Sequence, residues 1–213
     1  MDSIIRDIAI MALPVIFAIT LHEAAHGYVA KYYGDLTAYA QGRISLNPLR
    51  HIDLIGTIIV PVGLYALSGF LFGWAKPVPV NFSNLRNPKN DMFWVALAGP
   101  GANLLMAVLW AYIIKFGIAI PESDFSKPMI IMGQFGVLIN AILLVLNLLP
   151  LPPLDGGRIA VSLLPQRIAY RFAQIEPYGF PILIILIFTG VLGAVILPLR
   201  DLTIKLIAMF VGL

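Results

Sequence analysis

Long apolar blocks, each near the length of a bilayer crossing, decide what this chain can fold into. Hydrophobic segments run at roughly 8–30, 54–72, 93–119, 129–150, 158–164 with a turn onward, 179–197 and 201–213. A spanning helix needs about 20 such residues. Of the 213 residues, 60% are hydrophobic and 12% charged, where an ordinary soluble domain carries about a quarter charged. The expected fold class is an all-α polytopic membrane protein of about five to six transmembrane helices. It is read as one integral-membrane domain over residues 1–213. The first block lacks a small-residue cleavage site and is followed by further blocks, so it reads as a retained span rather than a leader.

Charge placement orients the blocks. Loop 73–91 carries Lys76, Arg86 and Lys89 against Asp91, and residues 158–176 carry Arg158, Arg167 and Arg171. Segment 120–127 instead holds Glu122 and Asp124 against Lys127. Basic loops stay in the cytoplasm, so 93–119 and 129–150 read as a hairpin crossing out and back. Loop 31–53, with Lys31, Arg43 and Arg50, also prefers the cytoplasm. If both of its flanking loops are inside, 54–72 cannot cross fully. A short membrane-associated β or re-entrant region after the first helix is therefore expected, broken at Pro61, Gly63 and Ser68-Gly69. A full crossing that breaks the charge rule is the alternative. The net charge of +3 fits basic loops beside a membrane and points to no nucleic acid, and the absence of cysteine excludes thiolate ligands.

Inside the first block stands His-Glu-Ala-Ala-His, residues 22–26. Ionisable groups in such a run are costly in lipid, and this chain holds only three histidines. Four residues apart on a helix, His22 and His26 share one face, where both can offer an imidazole nitrogen to one metal ion. Glu23 lies about 100° round the helix from His22, beside such an ion, where its carboxylate can act as a general base.

A catalytic zinc takes three protein ligands and keeps one position open. Most acids of the chain sit at segment ends or in loops. Asp155 does not: it lies in Asn-Leu-Leu-Pro-Leu-Pro-Pro-Leu-Asp-Gly-Gly-Arg, residues 147–158. Pro150, Pro152 and Pro153 break any helix there, and Gly156 and Gly157 permit close backbone approach. Asp155 is thus the leading third ligand, with a helix N-cap as its structural alternative and His51 as a lesser ligand candidate. Asn147, polar within an apolar run, can stabilise an oxyanion or make a helix–helix hydrogen bond. Asn140, about two turns earlier, is read as the latter.

With the first motif in the first hydrophobic segment and the second late in the chain, the sequence resembles the site-2 protease family of intramembrane zinc metalloproteases, in its small branch without PDZ or CBS domains. The stretches 42–57, 72–91 and 96–107 look familial as well. The resemblance implies one zinc per chain on His22, His26 and Asp155, Glu23 as general base, and Asn147 holding the scissile carbonyl. It implies a single-pass transmembrane substrate, cut within the bilayer; water must reach the zinc, so the site is expected to open toward the cytoplasmic side of the cell membrane. Gly99 and Asn103 match a Gly-x-x-x-Asn pattern, read as close packing of that helix on the catalytic core.

Hydrolysis in a membrane needs an unwound substrate. Arg43, Ile44, Ser45 and Leu46, in the stretch Gly-Arg-Ile-Ser-Leu-Asn-Pro, alternate weakly and are expected to form an extended edge that pairs with it. The rival reading is a zinc-binding membrane transporter or sensor, which would place several metal sites along a path, often in repeated halves. One compact cluster and no repeat favour the enzyme. Neither a particular substrate nor an oligomeric state follows from the residues.

Overall fold

A computed structural model describes residues 2–60, 63 and 75–213. Eight α-helices organise those residues: α1 (Asp2–Tyr32), α2 (Thr37–Ala40), α3 (Pro88–Ala119), α4 (Ser126–Leu148), α5 (Asp155–Leu163), α6 (Gln166–Ala173), α7 (Glu176–Phe188) and α8 (Val191–Val211). Among the described residues, Ile10–Tyr32 of α1, all of α3 and all of α4 are long and apolar enough to cross a bilayer. The pair α6 and α7, bent by 62°, would make a fourth. The described residues thus form the all-helical fold of a membrane protein, as the composition predicts.

Helix α3 is central and touches α1, α4, α5 and α8. Lipid tails are as apolar as leucine, so helices in a bilayer associate through small residues and tight packing. Ala18 and Ala30 of α1, Ala107 and Ala111 of α3, and Ala141 of α4 are accordingly buried. A Cβ on Gly136 would lie 2.3 Å from the Trp110 ring, so this glycine lets α4 sit directly on the indole. Trp110 joins Ala107, Ala111, Val137, Ile207 and Val211 in one core across α3, α4 and α8. Leu105, Leu109, Phe116 and Ile118 point outward from α3, as lipid-facing side chains do.

One end of the bundle is tied by loops. The Arg86 N–H donates to the Tyr33 carbonyl (3.0 Å) and Lys89 Nζ to the Leu164 carbonyl (2.8 Å). The end of α1, the start of α3 and the turn after α5 therefore meet. At the far end, Lys115 Nζ donates to the Val211 carbonyl (2.6 Å), a cation on the carbonyl end of α8.

Three expected features take these forms among the described residues. The apolar stretches expected at 179–197 and 201–213 are not separated at residues 198–200. The break falls at Gly190, whose φ of 75° is left-handed, and α8 runs unbroken through Pro198 to Val211. A proline removes one intrahelical bond, whereas a left-handed residue reverses the chain. Second, no strand forms among the described residues, and 43–46 is an irregular segment. Arg43 donates its N–H to the Ala38 carbonyl, and the Ser45 carbonyl accepts from His51 Nε2 (2.8 Å), bonds that hold the segment to its own loop. Third, the start of 54–72 is a π-helical turn, Leu54–Ile59, whose Gly56 N–H donates to Asp53 Oδ1 (2.6 Å). The rest of the expected re-entrant path lies outside the described residues, apart from residues 60 and 63.

Candidate metal centre

His22 and His26 sit on the inner face of α1. Ten residues separate His22 from Tyr32 at the loop-tied end, so the imidazole lies about 15 Å along the helix from that end. The chain returns to this depth at Asp155. After α4 ends at Leu148, the proline-rich turn folds back so tightly that a Cβ on Gly156 would meet the Leu148 and Leu149 carbonyls at 2.3 Å. A Cβ on Gly157 would meet the Pro152 nitrogen at 2.3 Å. Only glycine fits either place. Helix α5 then begins at Asp155 itself, with Leu154 as the N-cap residue and no side-chain cap bond. The carboxylate is therefore free of the capping role that competed for it, and it turns to the histidine pair.

The three ligand atoms form a nearly equilateral triangle. His22 Nε2 and His26 Nε2 are 3.2 Å apart, and Asp155 Oδ2 lies 3.2 Å from the first and 3.3 Å from the second. All three side chains are buried. The protonation pattern is set from behind. His22 Nδ1 faces Asn103 Oδ1 at 2.6 Å and His26 Nδ1 faces the Val95 carbonyl at 2.7 Å. Both partners are acceptors, so each Nδ1 carries the proton and donates it. In the neutral rings each Nε2 then presents a lone pair, and two lone pairs 3.2 Å apart cannot hydrogen-bond each other. The buried Asp155 Oδ2 likewise has no hydrogen-bond donor.

Three convergent lone pairs without protons between them suit a cation. Zinc ligands at about 2.0–2.1 Å in a tetrahedron are about 3.3–3.4 Å apart, close to the observed edges. A two-His, one-carboxylate set fits that ion and leaves a fourth direction open. Space for the ion comes from α3. A Cβ on Gly99 would stand 2.4 Å from His26 Nε2 and 2.6 Å from His22 Nε2, so only glycine leaves the ligand atoms clear. The expected close packing at Gly99 is present, and it lies against the ligand nitrogens themselves.

Asn103, four residues on, does more than pack. Its Nδ2 donates to Asn140 Oδ1 (3.0 Å) and to the Ala18 carbonyl (3.3 Å), and Asn140 Nδ2 donates to the Gly136 carbonyl (2.8 Å). The result is a chain of hydrogen bonds from α4 through α3 to the ring of His22. Sequence reasoning took Asn103 as packing and Asn140 as an ordinary interhelical bond. The available signal was two asparagines inside apolar helices, which in lipid must find partners.

Glu23 is half-buried, and its Oε2 accepts from the Val78 N–H (2.7 Å). That donor belongs to the irregular segment 75–81, where Arg43 Nη2 also donates to the Lys76 (3.1 Å) and Pro77 (3.2 Å) carbonyls. Ile44 lies against α1, with Cγ1 2.9 Å from where a Gly27 Cβ would be. Leu46 is exposed. Asn147, at the last turn of α4, donates to the Leu143 carbonyl (3.0 Å) and is not among the converging atoms. His51, the lesser ligand candidate, is buried, with Nε2 engaged by Ser45.

Among the described residues, His22, His26 and Asp155 are the one group of at least three histidine or acidic side chains close enough to share a metal. Comparison with known proteins points the same way. Residues 116–189 match the family described as peptidase family M50. YwhC of Bacillus subtilis, a zinc metalloprotease by name, is 36% identical over 92% of this chain and 90% of its own length. Rip2 of Mycolicibacterium smegmatis, named in the same terms, is 31% identical over 84% of this chain and 66% of its own length. Rip2 of Mycobacterium tuberculosis is 31% identical over 65% of this chain and 51% of its own length. No solved structure matches.

Proposed function

We propose that this chain, which belongs to peptidase family M50, the site-2 proteases, is an intramembrane zinc endopeptidase that cuts a single-pass transmembrane substrate at the centre just described. The observation that carries the reading is the triangle of unprotonated ligand atoms about 15 Å along a membrane-spanning helix from its loop-tied end.

His22, His26 and Asp155 would hold one zinc per chain. Bound there, zinc supplies Lewis-acid chemistry, making water a nucleophile near neutral pH and polarising the scissile carbonyl. Glu23, adjacent to His22 in sequence, takes the proton from the attacking water and returns it to the leaving amine. Asn147 keeps a second amide hydrogen beyond the one given to Leu143, and that hydrogen is available to the oxyanion.

The reading extends to placement. The loop-tied end of the bundle carries Lys31, Arg43, Arg50, Lys76, Arg86 and Lys89, so by the positive-inside rule it is cytoplasmic and water reaches the site from there. The cell membrane is the expected location, with about five to six transmembrane helices when the C-terminal helices are counted, and 54–72 re-entrant between its two cytoplasmic loops. Residues 1–213 act as one catalytic domain. The N–H and carbonyl of Ile44 make no bond among the described residues. They remain the edge at which Arg43, Ile44, Ser45 and Leu46 would receive an unwound substrate. Ile44→Pro should then slow cleavage sharply with zinc content unchanged, and full activity in that variant removes the pairing role.

The direct test is chelation and reloading in vesicles containing the chain and a single-pass substrate. Cleavage should map within the substrate's apolar segment, stop on zinc removal and return on zinc addition. Zinc release without any loss of cleavage would contradict the reading, and so would metal flux across the vesicle in place of cleavage.

A further inference from the structure

We propose that Lys76–Val78 is a strap that positions the Glu23 carboxylate, and that Arg43 is the positioning residue that clamps it; this rests on the protease reading above. Among the described residues, every backbone donor and acceptor of the strap except the Val78 carbonyl is engaged. The Lys76 N–H donates to the His51 carbonyl (2.8 Å), and the Lys76 and Pro77 carbonyls both accept from Arg43 Nη2 (3.1 and 3.2 Å). The Val78 N–H donates to Glu23 Oε2 (2.7 Å). The Val78 side chain is buried in a notch on α1, its Cγ1 3.1 Å from where a Gly27 Cβ would stand. Beyond it, the Asn81 N–H donates to buried Asp35 (2.7 Å), which anchors the far end.

The sequence Pro77-Val78-Pro79 makes the register all-or-none. Proline has no N–H, so a slip of one residue either way presents Glu23 with no donor. Both prolines also fix φ near −65°, which stiffens the strap. A glutamate has three side-chain torsions and loses rotamer freedom only when something holds it. A backbone N–H on a carboxylate oxygen is a charge-assisted bond. It fixes Oε2 and leaves Oε1 as the oxygen that handles the proton. Arg43 acts at one remove, through the two carbonyls that precede the donor.

The test uses the full chain in vesicles with a single-pass substrate, and compares Val78→Pro, which deletes the donor, with Val78→Ala, which keeps it and trims the side chain. Relative to Val78→Ala, Val78→Pro should lower kcat roughly 10- to 100-fold, the scale of a lost hydrogen bond to a charged group. KM and zinc content should match between the two. Arg43→Gln should lower kcat in the same way, and Arg43→Lys should recover part of it. Equal kcat in the two Val78 variants overturns the proposal, as does a rise in kcat on donor loss, which would make the strap a block. A change confined to KM would make it a substrate-binding element instead. If Val78→Pro fails to retain zinc, the Arg43 pair decides. One further readout does not depend on cleavage. In micelles with 15N-valine labelling, the Val78 amide proton should move upfield in Glu23→Ala. An unmoved resonance overturns the proposal; a moved one in a chain that cuts nothing puts the failure in the protease reading.

Discussion

Asn103 Oδ1 lies 2.6 Å from His22 Nδ1, so a side chain 81 residues away decides which imidazole nitrogen faces the metal position. The same amide is fixed in turn by Asn140, and both asparagines are fully buried. A ligand in lipid has no water to select its tautomer, so the protein must do it with a dedicated acceptor.

Replacing Asn103 by alanine should therefore weaken zinc binding about 10- to 100-fold, the usual effect of losing the partner of a ligating histidine. It also strands the Asn140 Oδ1 in the core. Competition titration with a chelator of known affinity measures the first effect. An unchanged zinc affinity would show that the His22 tautomer is set elsewhere.

Gly99→Ala separates helix stability from metal binding. Alanine is the better helix former by about 1 kcal/mol, yet its methyl would fall 2.4 Å from His26 Nε2 and 2.6 Å from His22 Nε2. The variant should keep its helical circular dichroism and lose most of its zinc by elemental analysis. Full zinc occupancy would mean that α3 can shift outward by the missing distance.

Much of the centre was legible before folding, and the reasons differ by residue. His22, Glu23 and His26 lie on one helix, where spacing alone puts the histidines on one face. Asp155 stood out because prolines and paired glycines flank it, and those glycines proved to be required by carbonyls and a proline nitrogen that leave no room for a Cβ. Asn103 and Asn140 announced only that each needed a partner, since nothing in a helical sequence says which neighbour it will face. The Val78 contact was hidden altogether, because its donor is a main-chain N–H 55 residues from Glu23. The helix boundary was expected at 198–200 rather than at Gly190, since a glycine inside an apolar run is a weak marker in sequence while the left-handed residue makes the turn in space.

Asp35 gives the loop end a pH dependence. Burial works to raise its pKa, but hydrogen bonds from Thr37, the Asn81 N–H and Asn84 outweigh burial and hold it below the ordinary value of 3.8. A depressed folded-state pKa stabilises at pH above the unfolded value, and the stabilisation is lost as pH falls through the folded one. Tethering of 81–84 to the end of α1 should thus be constant above about pH 5 and weaken below about pH 4. Asp35→Asn should cost about 1–3 kcal/mol near neutral pH and flatten the acid limb of the unfolding midpoint. An acid limb identical in wild type and variant would assign it to other carboxylates.

Zinc content paired with cleavage of a single-pass transmembrane substrate, for wild type and Glu23→Gln, tests the central claim most directly. Glutamine is nearly isosteric and still accepts the Val78 N–H through its carbonyl oxygen, but it cannot take up a proton as a base. Both proteins should hold about one zinc per chain, and only the wild type should cut. Equal cleavage by the two would contradict the account, because the carboxylate beside the metal site would then have no part in the reaction.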